Sequence, residues 1–162
     1  MPEPYRVTFV CTGNICRSPI AEWVLRHHVE QEGLDVEVDS SGTGGWHVGD
    51  GADDRAVRAL SAGGYHSAHS ARQFEPLWFA RYDLIVALDQ GHLRALRSMA
   101  PDEQARSKVR LLREFDPDAG DDLDVPDPYY GADDGFDHVL GLVEAAVPGL
   151  LETIREELKE RR

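Results

Sequence analysis

The chain has 162 residues, 41% hydrophobic and 29% charged, with 30 Asp and Glu against 17 Lys and Arg for a formal charge of −13. This fits one domain, 1–162, with enough apolar residues for a core, and excludes a disordered tail; the acidity disfavours nucleic acid and anionic membrane as partners, though not a small anion in a locally positive pocket. No apolar run approaches the roughly 18 residues of a membrane span, and MPEPYR lacks the sections of a secretory signal.

Residues 6–10 (RVTFV) form a β-rich apolar run that stops at Cys11. The polar CTGNICRS follows, then a helical pattern with Ile20, Ala21, Val24, Leu25, His28 and Val29 on one face. Ser18 is expected as its N-cap, with Pro19 in the first turn and Gly33 at its end. Residues 35–41 alternate as a strand, 42–51 (GTGGWHVGDG) form a glycine-rich loop, and 53–63 read as a helix. A buried strand over 82–88 closes at Asp89 and leads into a helix to about residue 100, and 109–112 read as a further strand. A loop dense in Asp and Pro runs from Asp116 to Asp137. The last helix turns Val139, Leu140, Val143, Val147, Leu150, Leu151, Ile154 and Leu158 inward, with an expected kink at Pro148–Gly149. No repeat or linker divides the chain. Strands alternating with helices predict an α/β fold, a parallel sheet covered on both faces. Ligands bind such sheets beyond the carboxyl ends of the strands, where Cys11 and Asp89 fall.

CTGNICRS carries the chemistry. A loop between a strand and a helix N-terminus aims backbone N–H groups into one hollow, and the helix dipole makes that hollow positive. Arg17 offers a planar fork to a phosphate, two oxygens at a time. Cys11 lies at the base of the same hollow, and whatever holds an anion there also stabilises a thiolate. A charged nucleophile under a bound phosphate predicts phosphoryl transfer to sulfur, with Ser18 placed to help the sulfur leave. Neither GxxxxGK[ST] nor GxGxxG occurs, which disfavours nucleotide binding. The leaving group needs a proton and the intermediate an activated water; one carboxyl can serve both, and by chemistry alone any Asp between 116 and 137 qualifies. A calcium loop starting at Asp116 fails because Asp121 stands where glycine is required. Trp46 reads equally as a partly buried core residue or as a contact surface. Two cysteines, Cys11 and Cys16, make no disulfide framework and point to a reducing, cytoplasmic setting.

The N-terminal strand, CTGNICRSP at 11–19, DSSGTGGWHVG at 39–49 and DPYY at 127–130 together resemble the low-molecular-weight protein tyrosine phosphatases, in the family's order and over nearly the whole chain. The resemblance implies a four-stranded parallel sheet with helices on both faces and an N-terminal phosphate-binding loop. It implies hydrolysis of phosphotyrosine in proteins or peptides, and of aryl phosphates, without metal or cofactor, with inorganic phosphate as product. Cys11 is then the nucleophile, Arg17 the phosphate binder and Asp127 the general acid and later base, held by Pro128. Thr12, Gly13, Asn14, Ile15, Cys16 and Ser18 line the substrate site with Trp46, Tyr129 and Tyr130, Tyr129 standing opposite Trp46. Asn14 is the strained loop residue, held by a network including Ser40, and His69 and Asp89 form a supporting pair. The remaining histidines are expected at the surface or in helix packing. Cys16 is the family's second loop cysteine, whose functional reading is a reversible disulfide with Cys11 under peroxide. A monomer or weak dimer is expected.

Two rivals are weaker. Arsenate reduction on the same scaffold needs a further cysteine late in the chain, and none follows Cys16. A non-catalytic phosphotyrosine-binding module predicts loss of Cys11 or of the acid, and both are present.

Overall fold

The computed structural model describes residues 3–132 and 134–161. Four parallel strands, β1 (Tyr5–Cys11), β2 (Val36–Gly42), β3 (Leu84–Ala87) and β4 (Val109–Leu111), lie in the order β2-β1-β3-β4. Five helices accompany them: α1 (Arg17–Glu32), α2 (Asp54–Ala62), α3 (Gln90–Met99), α4 (Glu103–Ser107) and α5 (Asp134–Glu160). Two 3₁₀ segments, Pro76–Arg81 and Leu112–Phe115, complete the regular structure among the described residues.

The period-two alternation of the central strands sorts their side chains into two cores. Val7, Phe9 and Cys11 of β1, with Leu84 and Val86 of β3, face the side covered by α1, α2 and α5. Val10, Ile85 and Ala87 face the other, where Phe74, Phe79, Tyr82, Leu93, Leu96 and Ala105 pack. The three layers and the parallel sheet agree with the sequence reading.

Several boundaries differ from it. The predicted strand over 82–88 keeps only its middle: Tyr82 turns its hydroxyl to Asp39, and the Asp83 carboxylate accepts from Arg6 N. Ser18 does not cap α1. Cys16 occupies that position without any side-chain cap, because the Ser18 hydroxyl is engaged by Asn14 and Cys11. By contrast Asp53, Asp89 and Asp102 cap α2, α3 and α4. Gly33 closes α1 in the left-handed conformation as expected. Pro148 does not end α5; it sits exposed inside one helix, where water can satisfy the carbonyl its missing N–H leaves open. Beside it, a Cβ on Gly149 would lie 2.1 Å from the Phe115 carbonyl, so glycine lets the 3₁₀ segment close onto the helix.

Register fixes the site. Cys11 pairs with Gly42 at the carboxyl ends of β1 and β2, and Leu88 N donates to Val10 O just before Asp89. A Cβ on Gly42 would lie 2.6 Å from Thr12 O, so only glycine allows the loop after β1 to curl across the end of β2.

Candidate active site

At that end of the sheet a cavity of about 350 Å³ opens over Cys11, Thr12, Gly13, Ile15, Cys16 and Arg17, with Trp46, His47, Asp127, Tyr129 and Tyr130 at its mouth. Ten of the fifteen residues singled out from sequence line it. Asn14 and Ser18 do not: both are fully buried, so they shape the loop instead of touching a ligand. His47 is an addition; histidine in a glycine-rich loop carries no spacing signal.

Asn14 adopts φ 59°, a conformation costly for a residue with a Cβ. Its partners hold it from every side. Nδ2 donates to Ser18 Oγ at 2.8 Å and Ser40 Oγ at 2.9 Å, and Oδ1 accepts from Arg72 N at 2.9 Å. Its carbonyl lies 2.6 Å from His69 Nε2, which must carry the hydrogen there. The Ser40 hydroxyl donates to Oε1 of buried Glu22 at 2.5 Å, and Arg26 pairs with the other Glu22 oxygen at 2.9 Å. Burial pushes the Glu22 carboxyl above its ordinary value despite the Ser40 bond and the Arg26 charge. It also pushes the His69 imidazole down, against the Asn14 bond.

The directions of these bonds matter at sulfur. Asn14 Nδ2 occupies a lone pair of Ser18 Oγ, leaving the hydroxyl hydrogen for Cys11 Sγ, 2.9 Å away. A thiolate at Cys11 can only accept, so the relay runs from amide to hydroxyl to sulfur. At Cys16, burial, with the Asp53 charge behind it, pushes the thiol up to about 12. Neither cysteine is in a disulfide.

Arg17 is only 4% exposed. Its Nη1 donates to Asp89 Oδ2 at 2.8 Å and to Val125 O at 3.0 Å, using both hydrogens. The Nε–Nη2 edge remains to present a fork, with Asp127 Oδ2 3.8 Å from Nη2. Burial works against the Asp89 carboxylate, but the His92 backbone N–H and the Arg17 guanidinium help to outweigh it and hold the pKa below the usual value. The expected His69–Asp89 pairing is therefore wrong. His69 serves Asn14 on one side of the loop and Asp89 serves Arg17 on the other, because β1 and its loop separate them. The expectation for the remaining histidines fails at His92, which is 5% exposed and 2.9 Å from Thr12 Oγ1.

The mouth is looser. The Asp127 side chain is 48% exposed, and its Oδ1 accepts from Tyr129 N at 3.0 Å, which folds DPYY into a turn. Arg55 reaches across from α2 to the carbonyls of Tyr129 (2.9 Å) and Gly131 (3.2 Å) and stacks on Phe136. Trp46 is 76% exposed, Tyr129 37% and Tyr130 92%. A flat ring entering between Trp46 and Tyr129 would bring an attached anion down to Cys11. Among the described residues, no group of three or more His, Cys, Asp or Glu is arranged to hold a metal, and no helix is long and apolar enough to cross a membrane.

Comparison with known proteins bears on this arrangement. The low molecular weight phosphotyrosine protein phosphatase family matches residues 6–160. A low molecular weight protein-tyrosine-phosphatase of Streptomyces coelicolor is 61% identical over 97% of this chain and 98% of its own. Low molecular weight protein-tyrosine phosphatase A of Mycobacterium tuberculosis is 47% identical over 98% and 96%. Among solved structures, a protein tyrosine phosphatase of Entamoeba histolytica superposes with a TM-score of 0.89 at 33% identity over 94% of this chain and 98% of its own. The YwlE arginine phosphatase, solved as a cysteine-to-serine variant with a phosphorylated active-site serine, reaches 0.83 at 29% over 93% and 95%. The chain belongs to the low molecular weight phosphotyrosine protein phosphatase family.

Proposed function

We propose that the chain, as one domain, hydrolyses phosphotyrosine in proteins or peptides, and aryl phosphates, through a cysteinyl-phosphate intermediate. The observation that carries this reading is the convergence of Cys11, Arg17 and Asp127 on one cavity, with aromatic side chains at its mouth. The Cys11 thiolate attacks phosphorus; the S–P bond forms as the aryl C–O–P linkage breaks at phosphorus, and the Asp127 carboxyl gives its proton to the departing phenolate. Arg17, with the loop N–H groups of residues 12–16, neutralises charge on the three oxygens that remain. Water then attacks phosphorus and yields its proton to Asp127. The S–P bond breaks back to a thiolate that accepts the Ser18 hydroxyl, and inorganic phosphate leaves.

Several further readings rest on the same site. Trp46 and Tyr129 sandwich the ring, with Tyr130 at the edge of the mouth. Ser40 and His69 keep Asn14 in place, and Asp89 keeps Arg17. Cys16 pairs with Cys11 under peroxide, so activity lost to peroxide returns with thiol; irreversible loss contradicts the pairing. We place the protein in the reducing cytoplasm as a monomer or weak dimer.

The test is hydrolysis of p-nitrophenyl phosphate and a phosphotyrosine peptide in EDTA by wild type, Cys11→Ser and Asp127→Asn, with an arginine-phosphorylated peptide as control. Activity on the aryl substrates that survives EDTA and disappears with Cys11→Ser is expected. A folded wild type inert on both aryl substrates overturns the reading.

A further inference from the structure

Outside the residues of the proposed chemistry, one buried ring touches two of them. His92, in the first turn of α3, has Nε2 2.9 Å from Thr12 Oγ1 and 3.4 Å from Arg17 Nη2. Its Nδ1 is 3.2 Å from Asp89 Oδ1, too oblique for a hydrogen bond, and so is a buried nitrogen without a hydrogen-bond partner. Both ends select the same tautomer. Arg17 Nη2 can only donate, so a hydrogen on Nε2 would face another hydrogen. Asp89 Oδ1 can only accept, so a lone pair on Nδ1 would face another lone pair. The hydrogen therefore sits on Nδ1.

The single lone pair of Nε2 goes to its nearer neighbour, the Thr12 hydroxyl. That choice turns the remaining Thr12 lone pairs toward Arg17 Nη2, 3.4 Å away. Arg17 Nη1 returns to the second Asp89 oxygen at 2.8 Å. With Asp89 Oδ1 accepting from the His92 backbone N–H at 2.9 Å, Asp89, His92, Thr12 and Arg17 form a ring joining the start of α3, the loop after β1 and the start of α1, beside Cys11. Protonated His92 would break the ring by turning a second donor on Thr12 and Arg17. The charged groups facing it are Arg17, Asp89, Asp127 and Asp124. Burial and the Arg17 charge push His92 down to about 4, in keeping with a neutral ring at working pH.

We propose that His92 is a positioning residue for phosphoryl transfer: as the Nδ1–H tautomer it holds the Thr12 hydroxyl, and through it the free edge of Arg17, in place before substrate arrives. The proposal rests on the reading of Cys11 and Arg17 above. A guanidinium that must be ordered during reaction still attracts a phosphate, but is worse matched to the transition state, so kcat falls more than KM rises.

The experiment compares His92→Phe, a ring without an acceptor, with His92→Gln, whose amide reaches the Nε2 position. His92→Phe should lower kcat for p-nitrophenyl phosphate about tenfold with KM within about twofold. Inhibition by vanadate, which adopts the five-coordinate geometry, should weaken by a similar factor, and inhibition by inorganic phosphate should barely change. His92→Gln should recover most of the loss, and the pH limbs should stay in place, since the ring carries no transferred proton. Equal losses in the two variants, or equal weakening of vanadate and phosphate, would overturn the proposal. Should His92→Phe fail to fold, ¹⁵N NMR of the wild-type ring decides: Nδ1 protonated and Nε2 bare supports it, and the opposite tautomer or an imidazolium at pH 7 refutes it. An inactive wild type counts against the function reading and not against the ring, whose tautomer NMR reads independently.

Discussion

The floor and the mouth of the cavity are built on opposite terms. In the floor, Cys11, Asn14, Arg17 and Ser18 are each at most 4% exposed; Asn14 and Arg17 are tied to partners far along the chain, and Ser18 bonds to Cys11 and Asn14 within the loop. At the mouth, Asp127 is about half exposed, and Trp46 and Tyr130 stand mostly in water. The floor meets the phosphoryl group, whose geometry never varies, and preorganised dipoles act there without reorganising. The mouth meets the leaving group and the flanking protein, which vary. In the proposed cycle the water that attacks the intermediate must also reach Asp127 through this opening. A strained residue such as Asn14 survives only where many bonds over-determine it, and that excludes the mouth.

This contrast is open to tests. Cys11→Ser should reduce turnover on the order of 10⁴-fold or more with the fold intact, read by kcat and circular dichroism. Asp127→Asn should cost about 10²-fold to 10³-fold on a phenyl or phosphotyrosyl substrate and less on p-nitrophenyl phosphate, whose better leaving group needs the proton least. Equal losses on both substrates would move Asp127 out of the acid role. Arg55→Ala should release the DPYY turn from α2 and lower kcat several-fold, about tenfold at most, and more for peptide than for p-nitrophenyl phosphate. Trp46→Ala should raise KM for the peptide a few-fold, about what one stacking partner contributes, and leave kcat near wild type.

The smallest effect belongs to stability. The folded-state pKa of Glu22 is raised above its ordinary 4.5, so from about that value upward the native state binds more protons than the unfolded chain. Its contribution to stability is therefore present at lower pH and lost as pH rises through the folded value. Urea midpoints for Glu22→Gln should lack this part of the slope; an identical pH dependence would show that Glu22 is not the source.

What could be read from the sequence and what could not follow from range. The strand, loop and helix of residues 5–32 are contiguous, and the Cys11–Arg17 spacing lies within one loop, so anion site and nucleophile were legible before any fold was known. The alternation of Val7, Phe9 and Val10 with Leu84, Ile85 and Val86 showed the sheet. Bonds across the fold were not visible. Thr12 meets His92 across 80 positions, and a histidine in a helical pattern looks the same whether it packs or positions. The Asp89 cap three residues before His92 was the one local hint that this ring sits at a helix start, near the carboxyl end of β3. The His69–Asp89 pairing failed for the same reason: residues serving one loop need not touch one another. The helix at Glu103–Ser107 is too short to show periodicity, and Asp102 was its only signal. Ser18 looked like a cap because serine before proline at a helix start usually is one; here its hydroxyl is committed to Cys11.

The central claim, that phosphate passes through sulfur at Cys11, is tested most directly by pre-steady-state turnover of p-nitrophenyl phosphate by Asp127→Asn, which slows the water step. The account predicts a burst of p-nitrophenolate stoichiometric with enzyme and a phosphoryl group on the Cys11 peptide in denatured, mass-analysed protein. Steady turnover with no burst and no modified Cys11 would contradict it.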